Sequence, residues 1–296
     1  AMAAAVAACD MEIISRGEAA EYIGRVVGSL EKLPRCMGHF FNWYDTRTLL
    51  PLAPAFISTV DSGNLLAGLI ACSMALRDWN MPELAERLCS LIEPMDFAPL
   101  YDARRGLFYI CYDCAKERSA GGWYDLMASE AMLTSYIAVA RGDVPVKHWR
   151  RLSRAQLQKD GYCGLASWTG TMFEYLMPEL FLPLCRDSLL YESCKFCLYA
   201  QKRRRFAGKP WGMSESAYYS LDAALSYRYK AHGCAALALK RGQDADFVVS
   251  PYSSFLALLI EPDSAVKNLR RLERFGALGR MGFIEALDFT PGRCRR

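Results

Sequence analysis

Apolar residues recur three or four positions apart over much of the chain. Ile13, Ile14, Ala19, Ile23, Val26, Val27 and Leu30 predict a first helix within Met11 to Leu33 that ends before Pro34. Leu65, Leu66, Leu69, Ile70, Met74 and Leu76 predict a second, with Asp61 or Ser62 as its cap, and Leu84, Leu88 and Leu91 a third over Pro82 to Leu91. The same spacing continues through Leu133, Tyr136, Ile137 and Ala140, from Phe173 to Leu184, and over Asp187 to Gln201, Tyr252 to Ile260 and Ala265 to Phe275. One run differs. Gly106 to Asp113 is short, aromatic and β-branched, the pattern of a strand in a small hairpin.

Between these helices lie aromatic, glycine-containing loops, at about residues 38–64, 106–130, 161–174, 209–218 and 276–288, each leading into an apolar helix. Helical pairs that repeatedly bring a polar loop to one side predict an all-α toroid with a short hairpin insertion. Its loop end would gather Asp45, Asp61, Glu130, Glu174, Glu215 and Glu285. The densest of these loops is Trp211-Gly212-Met213-Ser214-Glu215-Ser216-Ala217-Tyr218. Pro210 disfavours helix at Lys209, and Ser214 is expected to cap a helix running from Glu215 through Tyr218. Glu130 is expected one turn inside a helix with apolar neighbours, where burial raises a carboxyl towards general-acid behaviour. A carboxylate flanked by rings suits sugar chemistry, because aromatic faces hold pyranoses while the carboxylate works on the bond between them.

Composition narrows the field. At 296 residues and 52% hydrophobic, without a low-complexity linker, residues 1–296 are expected to form one domain. A net charge of +4 from 36 basic and 32 acidic residues is too mild for a nucleic-acid partner. The Lys202 to Arg205 run and Arg293, Arg295 and Arg296 read as solvated surface. The 12 cysteines lie in helical, apolar patterns and read as reduced core thiols. Cys111-x-x-Cys114 and Cys194-x-x-Cys197 have zinc-like local spacing, yet they are far apart, and His39, His148 and His232 stand near neither pair; packing is the expected role. No apolar run reaches the ~18 to 20 residues of a membrane span, and Ala1 to Cys9 lacks the basic start of a signal peptide, so a soluble chain without membrane insertion is expected.

Six segments, in order, resemble the glycoamylase-like cyclisation domain of bacterial cyclic β-1,2-glucan synthases. They are Asn42-Trp43-Tyr44-Asp45-Thr46-Arg47-Thr48-Leu49, Ser58 to Leu65, Tyr124 to Ala131, Ser167 to Tyr175, Trp211 to Tyr218, and Gly276 to Ala286. The resemblance implies an (α/α)6 barrel and a retaining transglycosylation that closes linear β-1,2-glucan into a ring. It implies Glu130 and Glu215 as the catalytic pair, Glu215 as nucleophile and Glu130 as acid/base, although related β-1,2-glucanases relay protons through substrate hydroxyls or water. Trp43, Asp45, Arg47, Asp61, Asn64, Tyr124, Trp168, Glu174, Trp211, Tyr218 and Glu285 are the substrate-binding candidates. Neither metal nor organic cofactor is implied. The implied partners are β-1,2-glucan chains and the membrane glycosyltransferase and phosphorylase-like modules of a parent synthase, which places the chain in the cytoplasm as part of an inner-membrane assembly. The family pattern also runs on past Asp288, so the barrel is expected to lack its last helices. Two other readings stay open: an endo-β-1,2-glucanase with water as acceptor, and a non-catalytic carbohydrate-binding module.

Overall fold

The computed structural model describes residues 1–204, 208–221, 225 and 227–293. Arg205 of the basic run and the tail residues Arg295 and Arg296 lie outside them. The chain divides into two compact units, one of residues 1–125 and 133–152, the other of residues 126–132 and 153–296.

In the first unit, α1 (Met2–Asp10) and α2 (Arg16–Leu30) precede a hairpin of β1 (Arg35–Cys36) and β2 (His39–Phe40). Helix α2 starts at a capping box in which the Ser15 side chain and Glu18 satisfy each other's backbone N–H groups. Strand β3 (Phe56–Ser58) runs into α3 (Thr59–Asp78), followed by α4 (Pro82–Ile92). The α3 cap is Ser58, whose hydroxyl accepts from the Asp61 N–H at 3.3 Å, so the helix begins earlier than Asp61 or Ser62 would have started it. Contrary to the sequence expectation, α3 is long and apolar enough to cross a membrane by length and composition, but 56% of that stretch is buried inside the protein, as in a core helix. Gly63 of α3 admits no side chain, since a Cβ there would lie 1.9 Å from the Thr134 hydroxyl. The predicted hairpin is present as β5 (Leu107–Asp113) and β6 (Arg118–Tyr124), and β5 also pairs antiparallel with β3 and with β4 (Tyr101–Asp102). Helices α5 (Met132–Arg141) and α6 (Lys147–Arg151) follow. His148 is a satisfied core residue, bonded to the Gly106 carbonyl and the Ser135 hydroxyl, each at 2.9 Å.

In the second unit, the hairpin of β7 (Gln156–Lys159) and β8 (Tyr162–Leu165) lies against α8 (Leu189–Arg204), and α7 (Met172–Leu176) precedes that helix. Then come β9 (Glu215–Leu221) and β10 (Tyr227–Ala231), an antiparallel pair; β11 (Val248–Val249); α9 (Pro251–Leu256); α10 (Pro262–Arg274); β12 (Leu278–Gly279) paired with β13 (Gly282–Phe283); and β14 (Leu287–Asp288) paired with β11. Met213, Phe247, Val249, Leu272 and Ala277 form a core cluster here. Cys194 and Cys197 are buried in α8, and the Cys194 thiol donates to the Tyr175 carbonyl at 3.3 Å.

Glu179 follows α7, buried, with Oε1 unpartnered. Burial pushes its carboxyl from 4.5 up to about 7. The native state therefore holds a proton that the unfolded chain releases: the stabilising contribution is complete below about pH 4.5 and is lost as pH rises through 7. Glu179→Gln keeps the shape without the ionisation. Its thermal midpoint at pH 8 should exceed that of the parent, by the equivalent of about 1–2 kcal/mol, with the difference vanishing at pH 4. Equal midpoints at pH 8 would remove this account.

Candidate active site

The second unit brings four carboxylates into one electrostatic neighbourhood. Glu130 lies in the turn just before α5, not inside a helix as its apolar neighbours predicted. The residues before it are buried and non-helical, held by parallel bridges of Leu126 with Ser153 and Ala128 with Ser167. Those bridges take the backbone positions a helix would need. Glu130 is half-buried, and its carboxyl is pushed from 4.5 up to about 7 by desolvation first, then by the charges of Glu174 and Glu215.

Glu215 opens a strand, where sequence predicted a helix capped by Ser214. Along β9 the buried Ser216 and Tyr218 alternate with half-buried Glu215 and Ala217, a period of two that pairing with β10 makes possible. The Ser214 hydroxyl does not cap; it accepts from the Phe173 N–H at 3.0 Å and from the Tyr252 phenol at 2.8 Å. Tyr252 also bonds the Glu215 carbonyl at 2.9 Å, which anchors the start of the strand. Glu215 Oε2 accepts from the Tyr229 phenol of β10 at 2.9 Å. Tyr229 is exposed as a whole, yet desolvation at its hydroxyl first, then the Glu215 charge, raises the phenol above its ordinary range, so it stays protonated and donates. Glu285 approaches from the far end of the chain and accepts from the Ala217 N–H at 3.2 Å. Neither Tyr229 nor Tyr252 is among the sequence candidates: Tyr229 reaches Glu215 only through the β9–β10 pairing, and Tyr252 reaches it from α9, far along the chain.

Glu174 is buried and fully engaged. Its carboxylate accepts from the hydroxyls of Ser167, Thr169 and Thr171 at 2.8, 2.7 and 3.3 Å and from the Thr169 and Thr171 N–H groups. It also closes a capping box with Thr171 at the start of α7. Two expected sugar platforms are corrected here. Trp211 is 2% exposed, with its backbone tied to the Asn268 amide, and Tyr218 is buried edge-on against His232 with the Arg293 guanidinium over its ring. Neither ring has a free face. Trp168, 54% exposed on the loop beside Ser167, has one.

In the first unit a cavity of about 330 Å³ is lined by Phe40, Phe41, Asn42, Trp43, Ser58, Asp61, Ser62 and Leu65. With the Asn42 amide oriented so that its nitrogen donates to Asp61 Oδ2 at 2.9 Å, its oxygen accepts from the Trp43 indole at 2.8 Å. Trp43 itself is 64% exposed. Asp45 spends Oδ1 on its own turn, accepting from the Thr48 and Arg47 N–H groups at 2.8 and 2.9 Å, bonds that lower its carboxyl. Arg47 is exposed, Asn64 turns a buried Oδ1 inward, and Tyr124 is half-buried on β6.

The Glycoamylase family model, described as "Putative glucoamylase", matches residues 122–293, more than half the chain and all four carboxylates. The chain belongs to the glycoamylase family. Within related glycoamylase-like proteins it is 28% identical, over 91% of its length, to the cyclic β-(1,2)-glucan synthase NdvB of Rhizobium meliloti (strain 1021), of which it spans 14%. That alignment covers 397 positions, more than the chain has residues, so the synthase carries internal segments without a counterpart here. Among solved structures, the endo-β-1,2-glucanase from Chitinophaga pinensis, in complex with sophorotriose and glucose, shares 16% identity at a TM-score of 0.77, over 98% of this chain and 74% of that one. The endo-β-1,2-glucanase from Talaromyces funiculosus, solved with sophorose, shares 15% at 0.76, over 92% and 62%. At these identities the likeness shows a common fold.

Proposed function

We propose that the chain is a retaining glycoside transglycosylase that closes linear β-1,2-glucan into rings. The feature that carries this reading is the grouping of Glu130, Glu174 and Glu215 in the second unit, where desolvation and the neighbouring charges push the Glu130 carboxyl up to about 7. Two carboxyls whose surroundings separate their protonation states can divide the roles of acid and nucleophile. Protonated Glu130 gives its proton to the glycosidic oxygen as that bond breaks, while Glu215, oriented by Tyr229, attacks the anomeric carbon. The glycosyl-enzyme is then opened by the 2-hydroxyl at the other end of the same glucan, whose proton returns to Glu130. No water is consumed. The Trp43 cavity and the exposed Trp168 ring each offer a pyranose-sized aromatic face for glucan binding.

The similarity to NdvB supports β-1,2-glucan as substrate, and the 14% of that synthase which the chain spans fits a part of a larger enzyme; to this reading belong the (α/α)6 barrel, membrane glycosyltransferase and phosphorylase-like modules, and a place at the cytoplasmic face. The solved relatives named above favour a second reading, hydrolysis of the same polymer. Mass spectrometry after incubation with linear β-1,2-glucan separates the two: rings are lighter than the matching linear chain by one water, whereas hydrolysis gives short linear products with new reducing ends. Neither product from the folded chain would sink both enzyme readings.

The acid role fixes a pH dependence. Glu130 must hold its proton in the free enzyme, so kcat/KM should fall on the alkaline side along a limb centred near pH 7. A rate that stays level to pH 9 would take the acid role away from Glu130.

A further inference from the structure

The β9–β10 hairpin carries Glu215 and Tyr229 on one face and the start of a chain of ion pairs on the other. Its pairing sets Tyr229 opposite Ala217 and Lys230 opposite Ser216, so Lys230 shares the back face with Ser216 and Tyr218. There Lys230 Nζ donates to Asp246 Oδ2 at 2.7 Å, and Asp246 Oδ1 meets Nη1 of Arg293, also at 2.7 Å. Arg293 donates further, through Nε to Asp288 Oδ2 at 2.7 Å and through Nη2 to the Thr290 hydroxyl at 2.8 Å. Its guanidinium also lies 5.3 Å from the centroid of the Tyr218 ring on β9. The chain of pairs thus reaches both strands.

Its far end is fixed. Asp288 lies in β14 opposite Val248 of β11, and Asp246 stands two residues before Val248. The Phe289 N–H donates to the Phe247 carbonyl at 2.8 Å and the Phe247 N–H to the Thr290 hydroxyl at 2.9 Å, while Phe247, Val248 and Val249 are buried. The four charged side chains are between 9% and 32% exposed, so solvent screens them less than it does a surface pair. Against the desolvation that opposes it, bonds from Lys230 and Arg293 hold the Asp246 carboxyl below its usual range, and it keeps its charge.

We propose that Lys230, Asp246 and Arg293 are positioning residues, which tie β10 to the buried β11–β14 pair and thereby hold the Tyr229 phenol on Glu215. The inference rests on the nucleophile role proposed above for Glu215. Lys230 and Tyr229 are consecutive, with side chains on opposite faces of the strand, so a twist that moves one moves the other. The Tyr229 phenol reaches Glu215 Oε2 at 2.9 Å from a residue that is 67% exposed, with little packing of its own. The strand must supply the constraint. Little displacement is tolerable, since a misplacement of about 1 Å can cost roughly 10²-fold in rate.

The test uses Lys230→Met in the full chain, which keeps the aliphatic stem and removes the ammonium that links β10 to Asp246. The kcat for ring formation, or for chain shortening if water is the acceptor, should fall roughly tenfold with KM little changed. Amide exchange over residues 227–231 should speed up several-fold. Lys230→Arg should restore most of kcat. In a Tyr229→Phe background Lys230→Met should cost less than about twofold, because the phenol it positions is already gone. Arg293→Met opens the same chain of pairs further along and should lower kcat in the same sense, which serves if Lys230→Met folds poorly. An unchanged kcat, a rise in KM in place of the fall in kcat, or an undiminished loss in the Tyr229→Phe background would overturn the proposal. A folded, unsubstituted chain that turns over no glucan would dismiss the enzyme reading by itself. Exchange then decides the positioning, and rates over 227–231 unaltered by Lys230→Met would overturn it.

Discussion

Glu215→Gln should stop ring formation from linear β-1,2-glucan, lowering kcat by roughly 10⁴-fold, with the glucan still bound. The amide is nearly isosteric and can still accept from the Tyr229 phenol that holds Oε2 at 2.9 Å, so the strand should remain in place while the nucleophile is lost. Glu130→Gln should cost about 10²–10⁴-fold by removing the proton donor to a poor leaving group. The two variants differ in a further respect. Any residual activity of Glu130→Gln should lack the alkaline limb near pH 7, because the group responsible for it is gone. Rates would be read from ring products by mass spectrometry, with circular dichroism confirming that each variant is folded. Wild-type turnover in Glu215→Gln would dismiss the nucleophile assignment, and turnover in Glu130→Gln with its pH limb unchanged would dismiss the acid.

The second large effect concerns stability. Glu174→Ala should destabilise the protein by about 3–5 kcal/mol in urea unfolding, because it leaves the Ser167, Thr169 and Thr171 donors facing an empty, buried space. Glu174→Gln keeps part of the acceptor set and should cost about 1–2 kcal/mol. The loss should also reach the chemistry. Ser167 is bridged to Ala128, two residues before Glu130, so loosening the Glu174 cluster should weaken activity beyond the change in stability. An alanine variant as stable as the parent would show that the buried carboxylate is dispensable.

What the sequence determined by itself was local or carried in a motif. The helices α2, α3, α4 and α10 follow from apolar spacing, and α2 and α4 also from the prolines beside them, because these signals lie within a few residues of each element; the serines that cap α2 and α3 were not the residues expected. The β5–β6 hairpin was legible for the same reason, its two strands being neighbours in the chain. The two carboxylates of the proposed reaction could be named from the segments around them. Their settings were decided only by tertiary structure. Glu215 sits on a strand because β10 pairs with it and because Ser214, free by local rules to cap a helix, instead serves Phe173 and Tyr252. Glu130 is moved out of its helix by bridges to Ser153 and Ser167 beyond α5. Trp211 and Tyr218 have the composition of a sugar platform, but whether a ring faces solvent or core depends on the packing around it: Trp211 is buried with its backbone held by Asn268, and Tyr218 is covered by His232 and Arg293.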